Sequence, residues 1–158
     1  MKSTGHRVEV RFGGEGESYI TPLAKRLNVE DYVKFTGWHS NPNEFIDQLD
    51  LLVLPSVKES FGLVIIEAMA REKPVLATRC HGPSSIIVDG KTGYLIPISD
   101  EAALAKKMIE AMEDSDLTAK GKAGFIRVLS HYTPSNAGTK LIEALTELGV
   151  HFENERTK

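Results

Sequence analysis

The chain has 158 residues, 41% of them hydrophobic and 26% charged, and a formal net charge of −3. That is enough chain for one domain with its own core, and the slight acidic excess excludes broad electrostatic attraction to nucleic acid or an anionic membrane. The single cysteine, Cys80, excludes an internal disulfide and a cysteine-rich metal site.

No apolar run approaches the roughly 20 residues of a membrane span. Met1 to Arg7 has no stretch of signal-peptide length and is expected to be flexible, which makes the cytoplasm the expected setting. Val8, Val10 and Phe12 alternate with Glu9 and Arg11, which predicts a strand over 8–12. Gly13-Gly14-Glu15-Gly16-Glu17 follows, then a helix over 18–27 with Ile20, Leu23, Ala24 and Leu27 at helical spacing and Pro22 tolerable in its first turn. This turn is not the dinucleotide fingerprint, because Tyr19 stands where its last glycine belongs. Three glycines in four residues suit a tight turn of positive φ or close approach of a ligand to the backbone.

Val33–Thr36 is a predicted strand ending at Gly37, with Trp38 and His39 beyond it. A short helix over 43–49 is capped by Asn41 or Asn43. Residues 50–54 form an apolar run that suits a strand buried on both faces. A polar loop leads from Pro55 to a helix over 63–72, and 74–77 is the next strand. His81 to Ser85 reads as a loop, with a short helix over 84–88. A turn at 89–93 precedes a strand at 94–96. Asp100 or Ser99 caps a helix bearing Leu104, Met108, Ile109 and Met112 on one face. Helices over 117–129 and 136–148 follow, the second ended by Gly149, and 149–158 is a charged tail.

Strands alternate with helices, so the fold class is α/β: a Rossmann-like parallel sheet covered on both faces, followed by C-terminal helices. Loops leaving parallel strands share one edge, where open α/β sheets bind ligands. The glycine turn, the Trp38-His39 turn, the 55–62 loop and the 78–85 loop therefore face one crevice.

Within that crevice, Glu59 and Glu67 are separated by seven residues, one in a loop and one in the first or second turn of a helix. Gly62 permits close backbone approach. The first-turn amides at Leu63 and Val64 lack intrahelical acceptors and suit an anion such as phosphate. Amides would hold a diphosphate, and carboxylates would accept from hydroxyl-rich rings on either side. The alternative is a glutamate that only complements the helix dipole.

The stretch Pro55 to Ala70 resembles the E-x7-E motif P-S-x-x-E-x-F-G-L-x-x-x-E-A-M-A of retaining, two-domain GT-B glycosyltransferases, called group 1 or family 4, and matches it throughout. The glycine turn at 13–16, V-x-F-x-G at 33–37, K-P-V-L-A at 73–77 and G-x-T-G-Y-L-I-P at 90–97 extend the resemblance across about residues 8–148. It implies a C-terminal domain that binds a nucleoside diphosphate sugar, UDP-sugar first and GDP-sugar second, with no metal. It implies that Glu67 binds the ribose hydroxyls and that Glu59, the candidate catalytic residue, lies near the transferred sugar. The diphosphate would sit on the amides around Gly62, Leu63 and Val64 and on the Gly13–Gly14 turn, with Glu15, Ser60 and Phe61 in the donor-binding set. The backbone near Trp38 and His39 would line the base pocket. The family's loop at 81–85 commonly carries two glycines and a glutamate; here His81 replaces one glycine and Ser84-Ser85 replace the acid.

The implied function is retaining transfer of a sugar to an acceptor hydroxyl, in biosynthesis of a polysaccharide or glycoconjugate. The alternatives are a non-catalytic nucleotide-sugar-binding module or split subunit, and a sugar-nucleotide epimerase of the same fold. The family's donor domain begins one strand and one helix earlier, and a separate N-terminal domain holds the acceptor, a glycan or lipid-linked sugar. The chain therefore reads as a fragment, a split subunit or a truncated gene product, inactive alone, whose full form attaches peripherally at the inner membrane face. In the 3-2-1-4-5-6 order the absent strand is central. The expectation is direct pairing of the strands at 8–12 and 51–54, or a homodimer or partner subunit filling the gap.

Overall fold

The computed structural model describes residues 8–148. The expectations for residues 1–7 and 149–158, Gly149 as a helix stop included, lie outside the described residues. The elements run β1 (Val10–Gly13), α1 (Glu17–Arg26), β2 (Val33–Gly37), α2 (Pro42–Asp47), β3 (Leu52–Leu54), α3 (Leu63–Ala70), β4 (Val75–Thr78), α4 (His81–Ile86), β5 (Tyr94–Ile96), α5 (Glu101–Glu113), α6 (Leu117–His131) and α7 (Pro134–Glu147). A 3-10 turn at Glu30–Tyr32 is not visible in the periodicity.

Every strand pair is parallel, but the strands form two sheets. β1 pairs with β2, and β3, β4 and β5 pair in that order. β1 and β3 do not pair with each other, so the expectation of direct pairing is corrected. The link between the halves runs through side chains of α2. The Phe45 ring lies against Gly13, and Arg11 Nη1 donates to Gln48 Oε1 at 2.6 Å. At its other end α2 is fastened to the second half by the Arg71–Asp47 ion pair and by Lys73 Nζ donating to the Asp47 carbonyl.

The core lies around β4 and β5, whose residues are all buried. Alternation along β4 sends Val75 and Ala77 to one face, with Ile46, Ile65, Met69 and Ile86. Leu76 goes to the other, with Tyr94, Ile96 and Ala111 of α5. Helices thus cover both faces, as a parallel sheet requires, and each fully buried Ile or Leu contributes about 1.5–3 kcal/mol. The β1–β2 half is thinner: Ala24 is its only buried residue among the described residues.

Side-chain caps set the start of three of the seven described helices, α2, α5 and α7. Asn41 Oδ1 accepts from the Asn43 amide, and Asp100 Oδ1 from the Ala103 amide, which settles the cap choice at both sites. Thr133 caps α7 ahead of Pro134, two residues before the predicted start. The helix predicted over 84–88 starts instead at His81. Pro83 falls in its first turn, where no amide donor is needed. Its last carbonyls are satisfied from α6 and the residue after it: Arg127 donates to Ile86 O and Ser85 O, and Tyr132 Oη to Ser85 O.

Candidate functional site

Within each sheet the pairing is parallel, so the turns after β1 and β2 share the carboxyl edge of the first sheet and those after β3 and β4 the carboxyl edge of the second. Gly14 (φ 97°) and Gly16 (φ 120°) occupy backbone conformations that favour glycine. The Gly14 amide donates to Gly37 O at 2.7 Å, which ties the glycine turn to the end of β2. Glu15 is exposed beside it. Trp38 is 82% exposed. His39 points inward, with Nε2 2.8 Å from Thr36 Oγ1 and its ring tilted on Phe45.

The 55–62 loop is shaped by its ends. Gly62 is left-handed (φ 93°, ψ 51°) and caps α3, with Ile65 Cδ1 filling the space beside it. The Ile65 amide bonds back to Gly62 O, while the Leu63 and Val64 amides have no acceptor outside the helix among the described residues. The Phe61 amide donates to Glu59 Oε1 at 3.2 Å, so the first carboxylate is folded onto its own loop. The Gly82 amide donates to Glu59 O at 3.0 Å and docks the following loop against it. Ser60, Phe61 and Leu63 are exposed.

Glu67 is the fifth residue of α3 and so lies in its second turn. Dipole effects fade beyond the first turn, which weakens the dipole explanation for it. Its side chain is half-buried and has no hydrogen bond or ion pair among the described residues. A cavity of about 430 Å³ opens between Val57–Ser60, the 79–81 turn and Ile98. Its lining includes Glu59 but not Glu67, Leu63 or Val64. Lys58 and Arg79 lie in loops the sequence brought to one crevice, though neither was singled out; Ile98 was missed, although its place just after β5 was a usable signal.

Residues 2–124 match the family model described as Glycosyl transferases group 1, and the chain belongs to that family. It is 41% identical over 106 residues to N-acetyl-alpha-D-glucosaminyl L-malate synthase of Bacillus anthracis, covering 66% of this chain and 28% of that protein. It is 37% identical over 111 residues to the putative glycosyltransferase EpsD of Bacillus subtilis, covering 69% and 29%. In structure it is similar to Anabaena Alr3699/HepE in complex with UDP, at TM-score 0.80 and 26% identity over 89% of this chain and 41% of that one. Staphylococcus aureus TarM in a complex that includes UDP superposes at TM-score 0.78 and 26% identity, over 90% and 29%. The fold is that of part of a GT-B glycosyltransferase, and the chain spans under half the length of each of these proteins.

Proposed function

We propose that the chain is the donor-binding half of a retaining glycosyltransferase and holds a nucleoside diphosphate sugar, UDP-linked first and GDP-linked second, at the start of α3. The observation that carries this reading is the pairing of two acceptor-free amides behind a left-handed glycine with Glu67, a half-buried carboxylate that has no hydrogen bond or ion pair among the described residues. Family membership and the UDP complexes of similar proteins support it. Glu67 would accept from the ribose hydroxyls. The Leu63 and Val64 amides, with the Gly13–Gly14 turn, would hold the diphosphate.

Charge builds on the diphosphate as the sugar leaves. Fixed amides aimed at those oxygens lower the barrier without reorganising, and this is the main catalytic contribution. Glu59, held by the Phe61 amide, steers the sugar and does not attack it. The reading needs no metal, since amides and side-chain cations take the neutralising role. The acceptor, a glycan or lipid-linked sugar, and the full reaction belong to the rest of a two-domain enzyme, cytoplasmic in setting.

Titration calorimetry with UDP on the wild type and on Glu67→Ala tests it. Loss of bonds to a charged group should weaken binding by about 1.5–3 kcal/mol with the fold intact. Unchanged affinity in the variant would return Glu67 to a structural role. No heat and no melting shift with any nucleoside diphosphate at millimolar concentration would end the proposal.

A further inference from the structure

Glu59 can act only from where its loop stands, and the end of β4 holds that loop from one side. The backbone is still extended at Cys80 (φ −74°, ψ 169°), so residues 78 and 80 project to one face and Arg79 to the other, where it pairs with Asp89. On the first face Thr78 Oγ1 and Cys80 Sγ lie 3.5 Å apart and converge on one carbonyl. Thr78 Oγ1 donates to Ser56 O. Cys80 Sγ donates to Ser56 O at 3.1 Å and also lies 3.4 Å from Val57 O. A carbonyl oxygen has two lone pairs, and side chains take both at Ser56. Two residues further on, the Gly82 amide donates to Glu59 O at 3.0 Å. Residues 78, 80 and 82 therefore hold the loop from Ser56 to Glu59, and Thr78 and Cys80 do so from burial, at 3% and 5% exposure.

These bonds serve the loop and not the helix after it. α3 is seated by its own apolar residues: Ile65, Ala68 and Met69 are fully buried, and the Leu63 and Val64 amides are fixed with them. The loop has no such anchor. Val57 and Lys58 are exposed and Glu59 is half-buried, so apolar burial does little to hold this stretch. The bond from the Phe61 amide to Glu59 Oε1 lies within the loop and moves with it. In the donor reading, on which this inference rests, the helix amides hold the diphosphate and Glu59 meets the sugar. We infer that Thr78 and Cys80 are positioning residues for the transferred sugar: through Ser56 and Val57 they set Glu59 against the ligand and leave the nucleotide seat to α3. Freeing the loop should then separate sugar recognition from nucleotide recognition, because displacements near 1 Å suffice to lose a positioned contact.

The test is amide exchange followed by NMR on the 158-residue chain, free and saturated with UDP, UDP-glucose or UDP-N-acetylglucosamine. The variants are Thr78→Val and Cys80→Ala, which remove a donor, and Thr78→Ser and Cys80→Ser, which keep one. Without ligand, Thr78→Val and Cys80→Ala should speed exchange of the Phe61 and Gly82 amides by about fivefold, the scale of one hydrogen bond lost, and leave the Ala68 and Met69 amides unchanged. The serine variants should stay near the wild type. With ligand, at least one sugar nucleotide should protect the Phe61 and Gly82 amides of the wild type beyond what UDP gives. That excess should vanish in Thr78→Val and Cys80→Ala, while UDP still protects Leu63 and Val64. Should Thr78→Val not fold, Cys80→Ala carries the same comparison. Equal acceleration throughout α3 and β4 overturns the inference, since the two residues then only stabilise the fold. So do serine variants as fast as the valine and alanine ones, an excess protection that survives the loss of either donor, or a wild-type loop that neither sugar nucleotide protects more than UDP does. If UDP protects nothing, the donor reading fails and the inference with it. If UDP protects Leu63 and Val64 and the sugar arms fail, the inference alone falls.

Discussion

The interlock between Gly82 and Phe61 makes a sharp claim about how the site is held. Gly82 is buried in the first turn of α4, where alanine is conformationally at ease. A Cβ there would lie 2.3 Å from Phe61 O and 2.6 Å from Phe61 N, where ordinary contact begins at 3.4 Å. Those are backbone atoms of the loop that carries Glu59 and opens α3, so nothing flexible can yield. In Gly82→Ala the loop must shift, which should cost about 1–3 kcal/mol by overpacking, offset by up to about 1 kcal/mol of helix propensity. At about 2–4 °C per kcal/mol for a chain of this size, the melting temperature should fall by several degrees. Gly121→Ala is the control. Its Cβ would lie 2.1 Å from Glu72 O, an equal clash behind α3, far along the chain from the loop. Both variants should lose stability, but only Gly82→Ala should lose nucleotide affinity, by about tenfold or more, because displacements near 1 Å at such sites are costly. Calorimetry with UDP beside a thermal melt decides it. A destabilised Gly82→Ala that binds UDP as the wild type does would refute the reasoning, and so would equal affinity losses in the two variants.

Other outcomes follow from the same geometry. Trp38, the only tryptophan and 82% exposed at the carboxyl edge of β2, should change its emission when UDP saturates the site; unchanged emission at saturation proven by calorimetry would remove it from the base pocket. Asp114 accepts from Lys120, then from Tyr94 Oη and the Asp116 amide, and these hold its carboxyl at about 2 instead of 3.8. A depressed carboxylate stabilises the fold above its unfolded pKa, so this contribution should be lost as pH falls from about 3.8 to about 2. Asp114→Asn should flatten the stability profile in that window, and an unaltered acid limb would disprove the linkage. In hydrogen exchange, β4 amides should be the slowest among the strands and β1 amides the fastest; equal protection would mean that β1's open edge is covered in solution, which light scattering would show as a dimer or larger species.

Much of this was legible because local signals agreed. The residues of β4 and β5 read as short continuous apolar runs, and that is how strands buried on both faces look. Asn41 and Asp100 announced their helices by cap chemistry. The motif at 55–70 located the left-handed glycine, the loop carboxylate and the helix carboxylate before any fold was in hand. What stayed hidden depended on distant partners. The end of α4 at Ile86 relies on Arg127 and Tyr132, more than 40 residues away. The split between β1 and β3 could not be read from periodicity, because each strand is normal in itself. The 55–62 and 78–85 loops were expected to share one crevice, and Val57–Ser60 and the 79–81 turn do line one space; Ile98, after β5, was the part of that lining the sequence did not signal.

The two half-sheets also differ in what holds them. β3, β4 and β5 are clamped between α3 and α6 on one face and α5 on the other, and most of the fully buried side chains are there. β1 and β2 have no fully buried residue, only Ala24 of the adjoining α1 being buried among the described residues of that half, and they are joined to the rest through Phe45 and Arg11. The proposed diphosphate seat spans this seam: the glycine turn belongs to the lightly held half, and the Leu63 and Val64 amides to the firmly held one. A ligand reaching from one to the other would supply, at the carboxyl edge, a link that the backbone does not make between β1 and β3. Part of its binding energy would then be spent ordering the lighter half. Affinity for a nucleotide should therefore rise with anything that fixes β1 beside β3, because the amides and the glycine turn would already be in register when the ligand arrives.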